Sequence, residues 1–94
     1  MLSKVVTING KQYELTIRVS KGSEYFKYEA DFTDDKNWNV WYGAWTYTGD
    51  NPRFIPNYIE IAKKACHSFK TELNFQQQCK QAEKDFEEWD GNFE

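Results

Sequence analysis

The sequence predicts an α+β fold: a four-stranded antiparallel meander followed by two C-terminal helices that pack on one face of the sheet (ββββαα). Four segments alternate apolar and polar residues with the period of two that a half-buried strand requires. Short turn-forming segments separate them, which favours an antiparallel meander. The last third of the chain repeats its apolar residues every three or four positions, as amphipathic helices do. We expect the 94 residues, 1–94, to form a single domain.

The first two strands are predicted at residues 4–8 and 11–19, on either side of the dipeptide Asn9-Gly10. Both turn residues tolerate a positive φ angle, so Asn-Gly between strand-like segments is a strong signal for a tight hairpin. The second segment places Tyr13, Leu15 and Ile17 on one side and polar residues on the other. This pattern is typical of a strand with one buried face.

The third and fourth strands are predicted at residues 25–32 and 38–47. The fourth carries large rings at both parities: Trp38 and Tyr42 alternate with Trp41, Trp45 and Tyr47. Because side chains alternate between the faces of a sheet, rings lie on both faces. Whichever face meets the core, the rings on the other need a second cover or an external partner.

The aromatic strand therefore has several interpretations. It can be a recognition face, because Trp and Tyr are enriched where binding energy concentrates. Alternatively, one helix covers each side of the sheet, or the strand edge is buried in a homodimer. A bulge at Gly43 would also change the parity midway and turn most rings inward. The sequence leaves the inward parity open.

A turn at residues 48–52 is predicted to close the sheet, and Pro56 excludes a helix before it. Asn57 is the predicted N-cap of the first helix. Asn74 is predicted to end that helix, and a second helix is predicted to begin near Phe75 and to end at Gly91. The first apolar stripe consists of Tyr58, Ile61, Ala62, Ala65, Cys66, Phe69 and Leu73, and the second of Phe75, Cys79, Ala82, Phe86 and Trp89.

The net charge of −3 is unevenly distributed. From Glu83 onward, six acids stand against one lysine, a net charge of −5, and the remainder of the chain carries +2. Acids near a helix C-terminus oppose the helix dipole, so their presence there indicates either a docking surface or a solubilising tail. A negative surface of this kind suits a basic groove on a partner. A protein that mainly holds nucleic acid is usually basic over its binding face.

Catalytic and metal-binding patterns are absent from the sequence. It has no glycine-rich phosphate loop, no nucleophile elbow and no zinc-ligand spacing, and its one histidine lies on a charged helix face. We expect no enzyme activity, no cofactor and no metal. Cys66 and Cys79 are expected to be buried thiols of a cytoplasmic protein, with a disulfide between the two helices as the alternative.

The function favoured by these observations is that of a non-catalytic inhibitor or binding protein that docks on another macromolecule. Small, acidic, aromatic-rich chains of this kind are common among phage anti-defence proteins and toxin-immunity proteins. A protein partner with a basic surface is expected, and a membrane is not, because no segment approaches the roughly 20 apolar residues of a span. A nucleic-acid-binding module and a homodimeric structural subunit are the alternatives. The predicted partner-binding residues are Trp41, Trp45, Tyr47, Glu83, Glu87, Glu88 and Asp90.

Overall fold

A computed structural model describes residues 2–48 and 57–94. Its elements, in chain order, are β1 (Leu2–Ile8), β2 (Lys11–Lys21), β3 (Tyr25–Thr33), β4 (Asn39–Thr48) and α1 (Tyr58–Glu88). The four strands form one antiparallel sheet in the order β1-β2-β3-β4. The predicted meander is confirmed. Most of the predicted closing turn, residues 49–52, and Pro56 lie outside the described residues.

Local signals set two of the element boundaries. Asn9 and Gly10 both adopt positive φ angles, 53° and 78°, as a two-residue hairpin between twisted strands requires. At the start of α1, the Asn57 side chain accepts a hydrogen bond from the backbone N–H of Glu60 at 3.1 Å. This bond satisfies one of the unpaired amides of the first helical turn. The hairpin and the N-cap are therefore where the sequence predicts them.

The hydrophobic core lies between one face of the sheet and the first half of α1. Phe32 on β3 and Phe69 on α1 are its largest fully buried side chains, and their rings stack with centroids 4.6 Å apart. Such a pair adds to the stabilisation that burial of each ring provides. The other buried residues of the core are Ile8, Tyr13, Leu15, Ile17, Ala30 and Ala65.

The prediction of two C-terminal helices is wrong. The described residues contain one continuous helix of 31 residues, α1, which passes through Asn74 without interruption. Asparagine is only a modest helix former, and its preference is easily overridden by the residues around it. What changes near Asn74 is the direction of the apolar stripe. Phe75 is six positions after Phe69, and at 100° per residue the second stripe lies roughly 120° around the helix from the first.

The second half of α1 extends beyond the sheet. Where the helix leaves the sheet, it contacts the β1–β2 turn: Asn9 Nδ2 donates a hydrogen bond to Asn74 Oδ1 at 3.2 Å. Every residue from Asn74 to Glu94 is exposed. From Asn74 to Glu88 the helix advances about 21 Å, and the longest dimension of the protein is 66 Å. We call residues 74–90 the projecting segment.

Candidate docking surfaces

The parity of β4 places Trp41 and Trp45 on the side of the sheet that faces α1. The Trp41 ring packs at 6.2 Å from Phe69 and 5.6 Å from Phe32, and Trp45 lies 6.1 Å from Trp41, all between centroids. Both indoles are half-buried. Both side chains pack against the hydrophobic core, and only part of each ring is exposed to solvent.

The irregularity in β4 lies at its beginning and not at Gly43. The register between β3 and β4 shifts at Phe32/Thr33, whereas Ala30 pairs with Gly43 in regular fashion. Trp38, which precedes β4, is 69% exposed. The loop before it is held by the Asp34 carboxylate, which accepts hydrogen bonds from the backbone N–H groups of Lys36 and Trp38 at 2.9 and 3.0 Å. The bond to Trp38 is the main reason that the pKa of Asp34 is lowered.

Tyr47 and the outer edge of Trp45 line a cleft between β4 and the start of α1. The volume of this cleft is about 370 Å³. Lys64 lies with its Nζ atom 5.3 Å from the centroid of the Trp45 ring, at cation–π distance. Ring faces and one cation are therefore available here, and the remaining lining residues include Tyr28, Glu60 and Ile61.

The opposite face of the sheet is covered by no described element and is lined by paired polar groups. Arg18 forms a salt bridge of 2.8 Å with Asp31, a carboxylate that is only 8% exposed. The Lys27 amine lies 3.7 Å from Glu29. Because these cations already neutralise neighbouring carboxylates, the open face offers little net positive charge to a phosphate backbone.

Tyr42 provides a testable feature of this face. Its hydroxyl donates a hydrogen bond of 3.0 Å to Glu29, and this bond to a carboxylate raises the pKa of Tyr42 above its ordinary value. The raised pKa means that the stability gained from the bond is present below pH of about 10 and lost as the pH rises through the folded-state pKa. Tyrosinate absorbance should show that Glu29→Gln lowers the Tyr42 pKa. The matched change Glu14→Gln, on an exposed carboxylate of β2, should leave the titration curve unchanged, and an equal shift in both variants would contradict the assignment.

The projecting segment carries several exposed aromatic side chains. Phe75, Phe86 and Trp89 are 59%, 72% and 51% exposed, and Cys79 between them is exposed as well. No described element covers these side chains. With Ala82 they form the aromatic stripe, which consists of Phe75, Cys79, Ala82, Phe86 and Trp89. Contiguous apolar residues left uncovered on a monomer are typical of an interaction surface.

Of the predicted acidic residues, only Glu83 borders the aromatic stripe. Glu83 borders it on one side and Asp85 on the other, while Glu87 and Glu88 lie on the outer side of the helix, by the 100° rotation per residue. The last turn contains no basic residue. A single i,i+4 contact, 3.8 Å between Lys84 and Glu88, offsets this charge, and exposed pairs of this type contribute little. Asp90 follows the end of the helix and is exposed.

The structure does not bring the two groups of predicted binding residues together. Trp41 contacts Phe69, and Glu87 lies 18 residues further along the same helix, a distance of about 27 Å. One compact interface therefore does not contain both the tryptophans of β4 and the acids of α1. The rings that do lie beside these acids are Phe86 and Trp89, on the predicted second helix that was expected to pack on the sheet.

The burial of the cysteines also differs from the prediction, because α1 is one continuous helix whose second half extends beyond the sheet. Both are free, Cys66 is half-buried and Cys79 is exposed in the aromatic stripe. Their 13-residue separation along one helix corresponds to about 20 Å, which a disulfide within the chain does not span. The expectation of two buried thiols is therefore wrong for Cys79. Burial raises the pKa of the Cys66 thiol, which makes it a poor nucleophile.

Comparisons of the chain with protein-family models, with curated proteins and with solved structures find no match. No helix among residues 2–48 and 57–94 combines the length and the apolar character needed to cross a bilayer. The same residues bring together no group of three His, Cys, Asp or Glu side chains suited to a metal ion.

Proposed function

We propose that this chain is a non-catalytic binding protein of the inhibitor type, which acts in the cytoplasm by occupying a basic surface of another protein through its projecting segment. The observation that carries the proposal is the run of exposed acids from Glu83 to Asp90, at the end of a helix that leaves the domain and has no basic residue in its last turn. An amphipathic helix of this form suits the recognition mode in which a helix lies along a groove or another helix.

Charge supports a protein partner with basic residues. The segment from Glu83 onward carries −5, and its carboxylates lie on both borders of the aromatic stripe and on the outer side of the helix. Charges so arranged steer the encounter and select partners. The same carboxylates, together with the neutralised cations of the open sheet face, argue against the nucleic-acid alternative.

The proposal is tested by capture followed by kinetics. The immobilised chain is exposed to host extract, the retained protein is identified by mass spectrometry, and its association rate is measured at low and high salt. The variant Glu87→Gln/Glu88→Gln should associate about two- to tenfold more slowly at low salt and should show a flatter salt dependence, because two steering charges are lost.

The matched control removes two carboxylates that lie outside the projecting segment. Glu24 and Asp35 are exposed and lie in loops of the sheet, so Glu24→Gln/Asp35→Asn changes the net charge by the same amount. This control should associate at nearly the wild-type rate. Equal slowing in both variants would show that only the overall charge matters. An unchanged low-salt rate in the Glu87→Gln/Glu88→Gln variant would exclude the acids from the interface.

A further inference from the structure

We propose that the aromatic stripe is covered by the same stripe of a second copy of this chain, in an antiparallel pair of helices. The inference rests on the proposed function, because it names the occupant of the stripe on the proposed docking helix. It leaves the outer acids Glu87 and Glu88 free to meet a different, basic partner. The protein would then be divalent.

The spacing of the aromatic stripe is that of a helix pair. Its members follow one another at intervals of four, three, four and three residues. An average repeat of 3.5 keeps a seam facing a second helix over more than two turns. The first half of α1 instead packs on the sheet through the stripe that contains Ala65 and Phe69. Since that half is held by the sheet, the projecting segment starts from a helix that is already nucleated.

The orientation of the aromatic stripe leaves room for a second helix. The stripe is turned by roughly 120° from the face of α1 that contacts the sheet. Packed helices lie 8–10 Å apart, so a helix laid along the stripe runs beside the sheet and not into it. The antiparallel order also places the two sheets at opposite ends of the pair.

The charge distribution decides the direction of pairing. No acid lies between Leu73 and Ala82, where the only charged residue is Lys80, whereas the segment from Glu83 onward carries −5. A parallel pair would place the two acidic ends side by side. An antiparallel pair sets each acidic end against the neutral-to-positive half of the partner, which removes that repulsion and also opposes the helix dipoles.

One antiparallel register pairs four members of the aromatic stripe with one another, while Trp89 falls opposite Glu72 of the second copy. It sets Phe75 opposite the partner's Phe86 and Cys79 opposite the partner's Ala82, so that large residues meet large and small meet small. The bordering residues Gln76 and Gln78 then lie beside the partner's Glu83 and Asp85. Amide side chains donate hydrogen bonds to carboxylates, so this register contains no like-charge pair along its borders.

The exposed area is of the right order for such an interface. A fully enclosed aromatic ring buries 150–250 Å², so the exposed fractions of Phe75, Phe86 and Trp89 leave roughly 350 Å² of ring to be covered on each copy. A specific interface buries about 800 Å² per partner. Cys79, Ala82 and the aliphatic stems of the bordering glutamines and lysines contribute to the remainder.

The oligomeric state is measured by analytical ultracentrifugation of the full chain under reducing conditions. We expect a monomer–dimer equilibrium in which Phe75→Ser/Phe86→Ser raises the dissociation constant about 100-fold or more, because two rings per copy lose their burial. Neither residue is buried within the monomer, so circular dichroism should show a folded variant. Phe93→Ser, at a residue that is 92% exposed beyond the helix, is the matched control and should leave the equilibrium unchanged. A monomer at all concentrations, or a dimer that the double variant does not weaken, overturns the proposal.

Crosslinking in a Cys66→Ala background tests the direction. The chain that keeps Cys79 is mixed with a chain that carries Cys79→Ala/Ala82→Cys, and the mixture is oxidised. The antiparallel register should give a disulfide between the two different chains. A parallel pair would instead crosslink the Cys79 chain to itself, and that result would overturn the antiparallel arrangement.

The two proposals fail in different ways. If the chain is monomeric but a stripe variant loses a captured host protein, the stripe is a docking surface and its occupant is not a second copy. If the chain dimerises through the stripe and the Glu87→Gln/Glu88→Gln change affects no interaction with host proteins, the self-association stands and the proposed function falls.

Discussion

Phe69→Ala should lower the free energy of unfolding by about 3–5 kcal/mol, because it removes the ring that joins α1 to the sheet. Phe69 is 2% exposed, stacks on Phe32 at 4.6 Å and meets the Tyr13 ring edge-on at 4.9 Å, both between centroids. Domains of this size are commonly stable by about 5–15 kcal/mol, so the loss would take a large share of the total. Urea unfolding, monitored by circular dichroism in dilute solution, measures it.

The control for this prediction is the same substitution at an exposed ring. Phe93 is 92% exposed beyond the end of α1, and Phe93→Ala should change the free energy of unfolding by less than about 0.5 kcal/mol. A loss below about 1 kcal/mol in Phe69→Ala would contradict the docking of α1 described above, since a ring enclosed by three others should leave a cavity when it is removed.

Gly43→Ala should destabilise the protein by about 1–3 kcal/mol, which is opposite in sign to the usual effect of alanine at an unstrained glycine. A Cβ atom on Gly43 would overlap the Trp41 ring, whose Cζ3 atom lies 2.9 Å from the Cβ position. The Trp41 ring lies over the backbone of Gly43, where it packs against Phe69 and Trp45. Alanine would therefore displace the indole from the core, and urea unfolding should detect the loss.

A second substitution distinguishes this clash from a general strand effect. In the Gly43→Ala background, Trp41→Phe replaces the indole by a smaller ring that leaves space for the new methyl group. The two changes should then be less destabilising together than the sum of the separate effects, with a coupling of about 1 kcal/mol. Strict additivity, or stabilisation by Gly43→Ala alone, would show that the Trp41 ring is not held across the glycine.

The sheet could be predicted from the sequence because its signals are local. Alternation of apolar and polar residues identifies a strand wherever it occurs, and Asn9-Gly10 specifies a hairpin through the φ angles of two residues. The inward parity of β4 could not be predicted in this way, since rings occur on both sides. It is set by the antiparallel register with β3, which pairs Phe32 with Trp41 and so places the two rings on one face.

The error in the helical region has a geometric cause. Each stripe is regular by itself, and the change of phase between Phe69 and Phe75 resembles the end of one helix and the start of another. A continuous helix accounts for the same change if its two halves present different faces to different surroundings. The rotation of roughly 120° between the stripes could have been predicted from the sequence. What covers each face could not, because burial depends on the sheet and on partners outside the chain.

The departure of α1 from the sheet at Asn74 also divides the helix into parts with different cooperativity. Residues before that point can lose their backbone hydrogen bonds only when the domain opens, whereas those after it can fray turn by turn in the isolated chain. An unbroken ladder of amide-to-carbonyl bonds therefore does not imply uniform resistance to hydrogen exchange or to proteases. A partner that binds the helical form of the turns after Asn74 adds its binding free energy to the free energy of their local opening. The partner therefore determines how strongly these turns are protected from hydrogen exchange.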